Sequence, residues 1–293
     1  FIMMYTNYNK FNSSCVKNFI TKRFLRVAPL YWLITIVCVI LLIFCPSLFS
    51  YGQHLDWSWI VSSFLFLPSH SPSSGVFAPP LGLGWTINFE MYFYAVFAVG
   101  LYFKRHIALI GMSLFFISSC LCGYLFETTH PFIIQATSCL TFEFLIGCFL
   151  GYFFSNYHKF FKLFKVSSFL LLLIGLGFIY FGVTFLPNLT VSEDFGRGLH
   201  FERFIFFGLP SVSIVIFFLT FSDYFKSKIL VELGNASYSL YLTQVLAIPF
   251  WSIVLSNSIH PVLFITYVIL LSLGSGYIVY RVVEVPFRNY VKK

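Results

Sequence analysis

Apolar runs of about 20 residues recur along the sequence, and each is long enough to cross the hydrocarbon core of a bilayer. Hydrophobic residues make up 59% of the 293 residues and charged residues 10%, whereas soluble domains carry about 25% charged residues. Hydropathy predicts eight full spans, at roughly 27–45, 85–103, 107–126, 132–154, 166–186, 203–221, 237–255 and 262–280. Residues 1–5 have the composition of the end of a ninth. The predicted fold is therefore all-α, a polytopic transmembrane helix bundle.

The basic residues alternate between the connections of this predicted bundle. Of the 18 Lys and Arg residues, all except Arg197 and Arg203 fall on one side. By the positive-inside rule that side is cytoplasmic, and it includes the C-terminus. Membrane topology also explains the net charge of +8, so we do not expect nucleic acid as a partner. The lipid bilayer is the partner that this pattern predicts.

The outer connection 46–84 is long for a membrane protein and contains no Lys or Arg. It carries Trp57 and Trp59, and Trp is enriched at the membrane–water interface. Two interpretations stay open, an outer loop on the membrane surface and a lid that faces a substrate.

Glu90 lies inside an apolar stretch that would otherwise span the bilayer. A carboxylate at membrane depth costs about 2.5–3.5 kcal/mol on insertion scales, so such residues usually have a partner or a function. In an α-helix, Thr86 and Tyr94 lie one turn away on either side, so a hydroxyl, an acid and a phenol would share one face. We expect that face to contact protein or a water-filled cavity. A structural role, with Glu90 buried against a neighbouring helix, and a functional role stay equally open.

Glu143 is the second acid within a predicted span. A helical spacing of four places it on one face with Gln135, Cys139, Gly147 and Gly151. The two glycines form a small-xxx-small pair that lets another helix approach closely, so we expect Glu143 to point into the bundle. Close packing favours a structural role for this acid, and a functional role is the alternative.

Two arginines precede the predicted span 27–45 on its cytoplasmic side. Arg23 and Arg26 lie one turn apart, and two guanidinium groups on one face suit bidentate phosphate binding. The alternative is that they only anchor the helix at the membrane surface. Arg203, at the outer start of another span, either pairs with Glu202 or closes a cavity. The seven Cys and seven His residues show no metal-binding or catalytic spacing, so we predict no metal site.

Six short motifs follow one another along the chain. They are residues 1–6 (FIMMYT), 23–32 (RFLRVAPLYW), 85–94 (WTINFEMYFY), 143–147 (EFLIG), 233–242 (LGNASYSLYL) and 284–288 (EVPFR). Their types and their order resemble those of the acyltransferase-3 family of integral membrane acyltransferases. That family includes bacterial O-acetyltransferases of O-antigen, exopolysaccharide and nodulation-factor sugars.

The resemblance implies a single acyltransferase-3-like membrane domain over residues 1–293. This domain would lack the first of the family's ten helices and most of the second. The missing helix carries the family's R-x10-H motif, whose His is regarded as catalytic, and no Arg in this sequence has a His eleven positions later. We therefore expect a fragment that is inactive without that His. Gln244 stands where the family often has His, and Gln cannot titrate near neutral pH.

The resemblance also implies an activity and a location, an O-acyltransferase of the bacterial inner (plasma) membrane. The co-substrate would be acyl-CoA, most often acetyl-CoA, with no bound cofactor, and the acceptor a hydroxyl of a glycan or lipid-linked sugar. Arg23 and Arg26 would bind the CoA phosphates, and Glu90 would be the catalytic residue of this chain, orienting or charge-stabilising the His. Six further residues are candidates for the lining of the cavity: Trp85, Thr86, Tyr94, Glu143, Tyr238 and Gln244.

Two other functions remain as alternatives. A secondary transporter would use Glu90 and Glu143 as proton or cation sites, but it predicts inverted repeats and broken helices that the sequence does not display. A catalytically dead scaffold would keep the fold without the His.

Overall fold

The computed structural model describes residues 1–46, 54–126, 129–186, 201–225, 227–255 and 260–291, and no β-strand occurs among them. The helices are α1 (Ile2–Asn7), α2 (Ser13–Phe44), α3 (Trp57–Phe64), α4 (Gly84–Gly100), α5 (Arg105–Leu125), α6 (Pro131–Thr137), α7 (Thr141–Leu163), α8 (Lys165–Phe185), α9 (Phe201–Arg203), α10 (Leu209–Thr220), α11 (Lys228–Leu255), α12 (Pro261–Val279) and α13 (Val285–Val291). Two π-helical turns, Phe204–Gly208 and Tyr280–Glu284, connect α9 to α10 and α12 to α13. The predicted all-α class is confirmed.

Seven helical segments of the described chain are long and apolar enough to cross a bilayer. They are Ser13–Phe44, Arg105–Leu125, Pro131–Phe161, Lys165–Phe185, Phe201–Thr220, Lys228–Leu255 and Pro261–Tyr290. Helix α4 falls in the remaining predicted span and has 17 residues. At 1.5 Å per residue it is about 26 Å long, slightly less than a hydrocarbon core of about 30 Å. Of the two predicted exceptions to the charge pattern, Arg197 lies outside the described residues and Arg203 lies in α9.

Helix α2 begins earlier than hydropathy predicts, at Ser13 rather than near residue 27. The basic segment that we placed before the span is therefore part of the helix. Lys and Arg are good helix formers, and hydropathy detects only the lipid-facing part of a helix. Pro29 lies inside the helix. One turn of α2 beside it is tied to α11, because Tyr238 donates its hydroxyl to the Val27 carbonyl oxygen at 2.7 Å.

The predicted span 132–154 is wrong as one continuous helix, because it is broken into α6 and α7. Ser138 has an extended backbone (φ −68°, ψ 136°) that ends α6. Its carbonyl oxygen accepts a hydrogen bond from the Thr141 hydroxyl at 2.9 Å. Ser and Thr offer such local hydrogen bonds in competition with the helix, which explains the break. Gln135 and Glu143 therefore belong to different helices rather than to one face.

The chain divides into two compact units. The first contains Phe1–Ile20 and Asn88–Phe225, and the second contains Thr21–Ile87 and Lys226–Lys293.

In the first unit, α1 packs against α7 at two glycines. A Cβ atom on Gly147 would lie 2.7 Å from the Phe1 nitrogen. A Cβ atom on Gly151 would lie 2.7 Å from the Phe1 carbonyl oxygen and 2.9 Å from the Met4 Cβ. Any side chain at either position would push the two helices apart, so the predicted close approach at the small-xxx-small pair is confirmed. Helix α1 therefore lies beside the part of α7 that carries Glu143.

In the second unit, part of the outer connection is a short helix, α3. Asp56 caps its N-terminus, and hydrogen bonds from the Ser58 backbone N–H and hydroxyl hold the pKa of the Asp56 carboxyl below its ordinary value. Trp59 is 3% exposed and donates its indole N–H to the Ala78 carbonyl oxygen at 2.9 Å, whereas Trp57 is 81% exposed. Trp57 is thus exposed, so its position at the membrane interface stays a prediction, whereas Trp59 is a core residue.

Two further contacts join helices within the second unit. The Tyr31 hydroxyl on α2 lies 2.8 Å from the Ser63 hydroxyl on α3, and both residues are fully buried. Helices α11 and α12 approach closely at Gly276, where an added Cβ would lie 2.7 Å from the Leu240 Cδ2 and from the Thr243 Oγ1.

Candidate active site

Glu90 lies near the middle of α4 and has a partner on its own helix. Tyr94, one turn later, donates its hydroxyl to the Glu90 Oε1. The Tyr94 ring is buried and packs edge-on against Phe19, with ring centroids 6.1 Å apart. The Glu90 side chain remains half-buried. The carboxylate is thus held in place by the phenol and is still accessible to other groups.

Glu90, Tyr94 and Glu143 line one cavity of about 380 Å³ within the first unit. Phe93 and Phe144 form an apolar wall, with stacked rings whose centroids are 4.9 Å apart. The volume falls in the range of about 300–1,000 Å³ that is usual for small-molecule sites. Carboxylate oxygens accept hydrogen bonds from hydroxyl groups, and aromatic faces pack against C–H surfaces. This lining suits a ligand that carries several hydroxyl groups.

Glu143 lies in the first turn of α7, against the π-helical turn Phe204–Gly208. Gly208 leaves room for it, because an added Cβ would be 3.1 Å from the Glu143 Oε1 and 3.2 Å from its Cγ. Arg203, directly before the π-helical turn, interacts electrostatically with Glu143. The structure thus gives Arg203 a partner that the sequence analysis did not consider, an acid of another helix that lines the cavity. π-Helical turns inside helices frequently occur at functional sites.

The second unit contains the other candidate lining residues, the half-buried Trp85 and Gln244 and the hydrogen-bonded Thr86 and Tyr238. The Thr86 hydroxyl lies 2.6 Å from the hydroxyl of Tyr241, a residue that the sequence analysis did not single out. Tyr241 belongs to the same motif as Tyr238, so two phenols of that motif hold α11 against α4 and α2. The structure therefore brings Glu90, Tyr94 and Glu143 together in the first unit. The other four candidates lie in the second unit: Trp85, Thr86, Tyr238 and Gln244.

A third acid, Glu284, escaped the sequence analysis although it belongs to the last motif. The Ser239 hydroxyl on α11 donates to the Glu284 Oε2 at 2.5 Å. Glu284 ends the second π-helical turn, and Arg288 one turn later donates to the Tyr280 hydroxyl at 3.4 Å. Two motifs that are 45 residues apart thus meet in the second unit. Ser239 and Glu284 are polar residues in apolar segments, and this was the signal from which the sequence analysis could have found them.

Arg23 and Arg26 lie one turn apart in the basic first half of α2. Arg23 is half-buried and Arg26 is exposed, as are Lys17 and Lys22 on the same helix. Phosphate binding and anchoring at the membrane surface both fit this placement. Within the described part of the chain, no group of three His, Cys, Asp or Glu side chains is arranged to hold a metal ion.

The helices and the acid-lined cavity define an integral membrane protein with a candidate small-molecule site. The chain belongs to the acyltransferase-3 family, because the family profile described as an acyltransferase domain matches residues 3–281. A curated relative is the exopolysaccharide production protein ExoZ of Rhizobium meliloti (strain 1021), which is 36% identical over 129 residues. The aligned part covers 43% of this chain and 39% of the relative's own length. No solved structure matches the chain.

Proposed function

We propose that this chain forms the membrane domain of an O-acyltransferase that moves an acyl group, most often acetyl, from acyl-CoA to a glycan hydroxyl. Family membership supports acyl transfer over the transporter alternative. The relative ExoZ is named for exopolysaccharide production, which supports a cell-surface or exported glycan as the acceptor. The observation that carries the proposal is the cavity lined by Glu90, Tyr94 and Glu143.

An orientation belongs to the proposal. The basic loops and the C-terminus face the cytoplasm of a bacterial inner membrane, where acyl-CoA is available. Glu90 then lies six residues inside the outer end of α4, about 9 Å deep. A sugar hydroxyl would reach the cavity from the outer side, and the acyl donor would reach it from the cytoplasmic side.

The chemistry assigns a role to each acid of the cavity. The hydroxyl oxygen of the acceptor attacks the thioester carbonyl carbon, a C–O bond forms, the C–S bond breaks, and CoA leaves as its thiol. A base must remove the hydroxyl proton, and the resemblance gives that role to the His of the family's R-x10-H motif. Glu90, held by Tyr94, would orient and charge-stabilise this imidazole. Glu143, balanced by Arg203, would position the acceptor through its carboxylate oxygens.

The donor side of the proposal rests on Arg23 and Arg26. A guanidinium group binds phosphate oxygens through two parallel hydrogen bonds, so both arginines suit the phosphates of CoA. Replacing either with Ala should raise the KM for acyl-CoA with little change in kcat. Lys22→Ala, an exposed basic residue on the same helix, is the matched control. An unchanged KM in both arginine variants would reject the donor assignment.

Glu90→Gln in the protein expressed in its native cells tests the central assignment. Gln keeps the size of the side chain and an oxygen for the Tyr94 hydroxyl, but it removes the charge. Glycan acetylation in cells should fall at least about 100-fold, the lower end of what acid–base groups contribute, while immunoblotting of membranes shows unchanged protein. Glu232→Gln is the control, because this acid pairs with Arg281 at 3.2 Å in the second unit. Wild-type acetylation by the Glu90 variant would reject the role.

A further inference from the structure

Two cysteine sulfurs of the first unit lie in direct contact. Cys120 on α5 and Cys139 in the turn between α6 and α7 have their Sγ atoms 2.7 Å apart, and both are free thiols. Ordinary non-bonded sulfur atoms do not approach this closely, and a covalent S–S bond is only about 0.7 Å shorter. The two side chains thus already point at each other, so joining them requires little movement of the backbone.

The surrounding helices keep the two cysteines in this position. Three residues after Cys120, an added Cβ on Gly123 would lie 2.5 Å from the Thr137 Cβ, so α5 and α6 are in close contact there. Cys139 follows Thr137 by two residues and is 2% exposed, whereas Cys120 is half-buried. One thiol of the pair is therefore accessible to an oxidant, and the other is held behind it.

We propose that Cys120 and Cys139 form an intramolecular disulfide in the native membrane. The inference rests on the orientation proposed above and not on the acyl-transfer chemistry. In that orientation Cys120 lies five residues before the outer end of α5, about 8 Å deep, on the side of the oxidising bacterial periplasm.

The oxidant is a disulfide compound on the outer side, either a protein disulfide or a low-molecular-weight one. The Cys120 thiolate attacks one sulfur of that compound, which releases its first thiol and leaves a mixed disulfide. The Cys139 thiolate then attacks the Cys120 sulfur and releases the second thiol. The two cysteines lose two electrons and two protons in total, and the oxidant's disulfide is reduced to two thiols.

The bond would fix the wall of the candidate active site. Cys139 precedes α7 by two residues, and Glu143 lies in the first turn of that helix. A covalent link to α5 at this point limits how far the start of α7 can move. The disulfide would therefore hold Glu143 at the cavity across the break that separates α6 from α7.

Differential alkylation of the full chain in intact cells tests the proposal. Acid first stops thiol exchange, and free thiols are then alkylated with one maleimide in denaturant near neutral pH. Disulfides are next reduced and labelled with an isotopic maleimide, and mass spectrometry reports each cysteine separately. Cys120 and Cys139 should carry mainly the second label. Cys122, exposed two residues further along α5, and Cys148, buried on α7, should carry the first.

Matched variants make the outcome decisive. Cys120→Ser should return Cys139 to the first label, whereas Cys122→Ser should leave the pair oxidised. If Cys120 and Cys139 carry the first label to the same extent as Cys122, the proposal is overturned. Oxidation of the purified protein with glutathione disulfide then identifies the failed premise. A bond formed only in that solution rejects the orientation, and no bond at all rejects the contact.

Discussion

Replacing Gly276 with Ala measures how tightly α11 and α12 pack. The added Cβ would lie 2.7 Å from the Leu240 Cδ2, 2.7 Å from the Thr243 Oγ1 and 2.9 Å from the Leu240 Cα. The Leu240 methyl group can rotate away, but its Cα can move only if the whole helix shifts. Overpacking of this kind costs about 1–3 kcal/mol, so we expect a loss of stability in that range.

Gly274 provides a control on the same helix, two residues earlier. An added Cβ at this position meets no atom within 4 Å. Ala is favoured over Gly in a helix by about 0.8–1.0 kcal/mol, so Gly274→Ala should be neutral or stabilising. The free energies of unfolding of the two variants should therefore differ by about 1–4 kcal/mol, although both carry the same chemical change.

Thermal unfolding of both variants and the wild type in the same detergent compares them directly. The Tm of Gly276→Ala should lie below that of the wild type, and the Tm of Gly274→Ala at or above it. If the two variants unfold at the same temperature, the close contact between α11 and α12 at Leu240 is refuted.

Three further predictions concern a cap, a buried hydrogen bond and the cavity. The Asp56 cap should protect α3 from proteolysis at pH values above the ordinary Asp pKa of about 3.9. This protection should be lost as the pH falls through the lowered pKa that Asp56 has in the folded state. Asp56→Ser should remove the pH dependence. Tyr31→Phe leaves the buried Ser63 hydroxyl without this partner, which should cost about 1–3 kcal/mol in thermal unfolding, and adding Ser63→Ala should recover part of the loss. Gly208→Ala should push the Glu143 carboxylate aside by a few tenths of an ångström and lower acetylation at an unchanged protein level, and full activity would contradict this placement.

Periodicity and composition predict the features of this fold that depend on residues close in sequence. Apolar runs mark the spans because every helix that crosses the lipid needs about 20 mainly apolar residues. The Glu90–Tyr94 contact follows from a spacing of four on one helix, and the approach of α1 to α7 follows from the spacing of Gly147 and Gly151. The helical N-terminal half of α2 was missed because hydropathy does not report on polar helices.

Two kinds of feature could not be predicted in the same way, a local break in a helix and contacts between distant helices. The break at Ser138 is accompanied by one local hydrogen bond inside an otherwise apolar run, so a hydropathy window averages over it. The interaction of Arg203 with Glu143 and the hydrogen bond of Ser239 to Glu284 join residues whose separation has no period. Only the packing of the helices brings these groups together, and a single sequence does not contain that information in local form.

The π-helical turn Tyr280–Glu284 has a genetic consequence. Each residue of a regular helix turns the following side chains by about 100°, and a π-helical turn accommodates one residue more than the α-helix needs. A single-codon deletion within this turn would therefore restore a regular helix and leave the residues downstream on the same face, because the wider turn already absorbs the extra residue. The same deletion within α12 would rotate α12 relative to Glu284 and Arg288 by about 100°, although no polar residue had been replaced. The turn is thus the place in this segment where the loss of one codon changes the length of the chain and not the direction of the C-terminal motif.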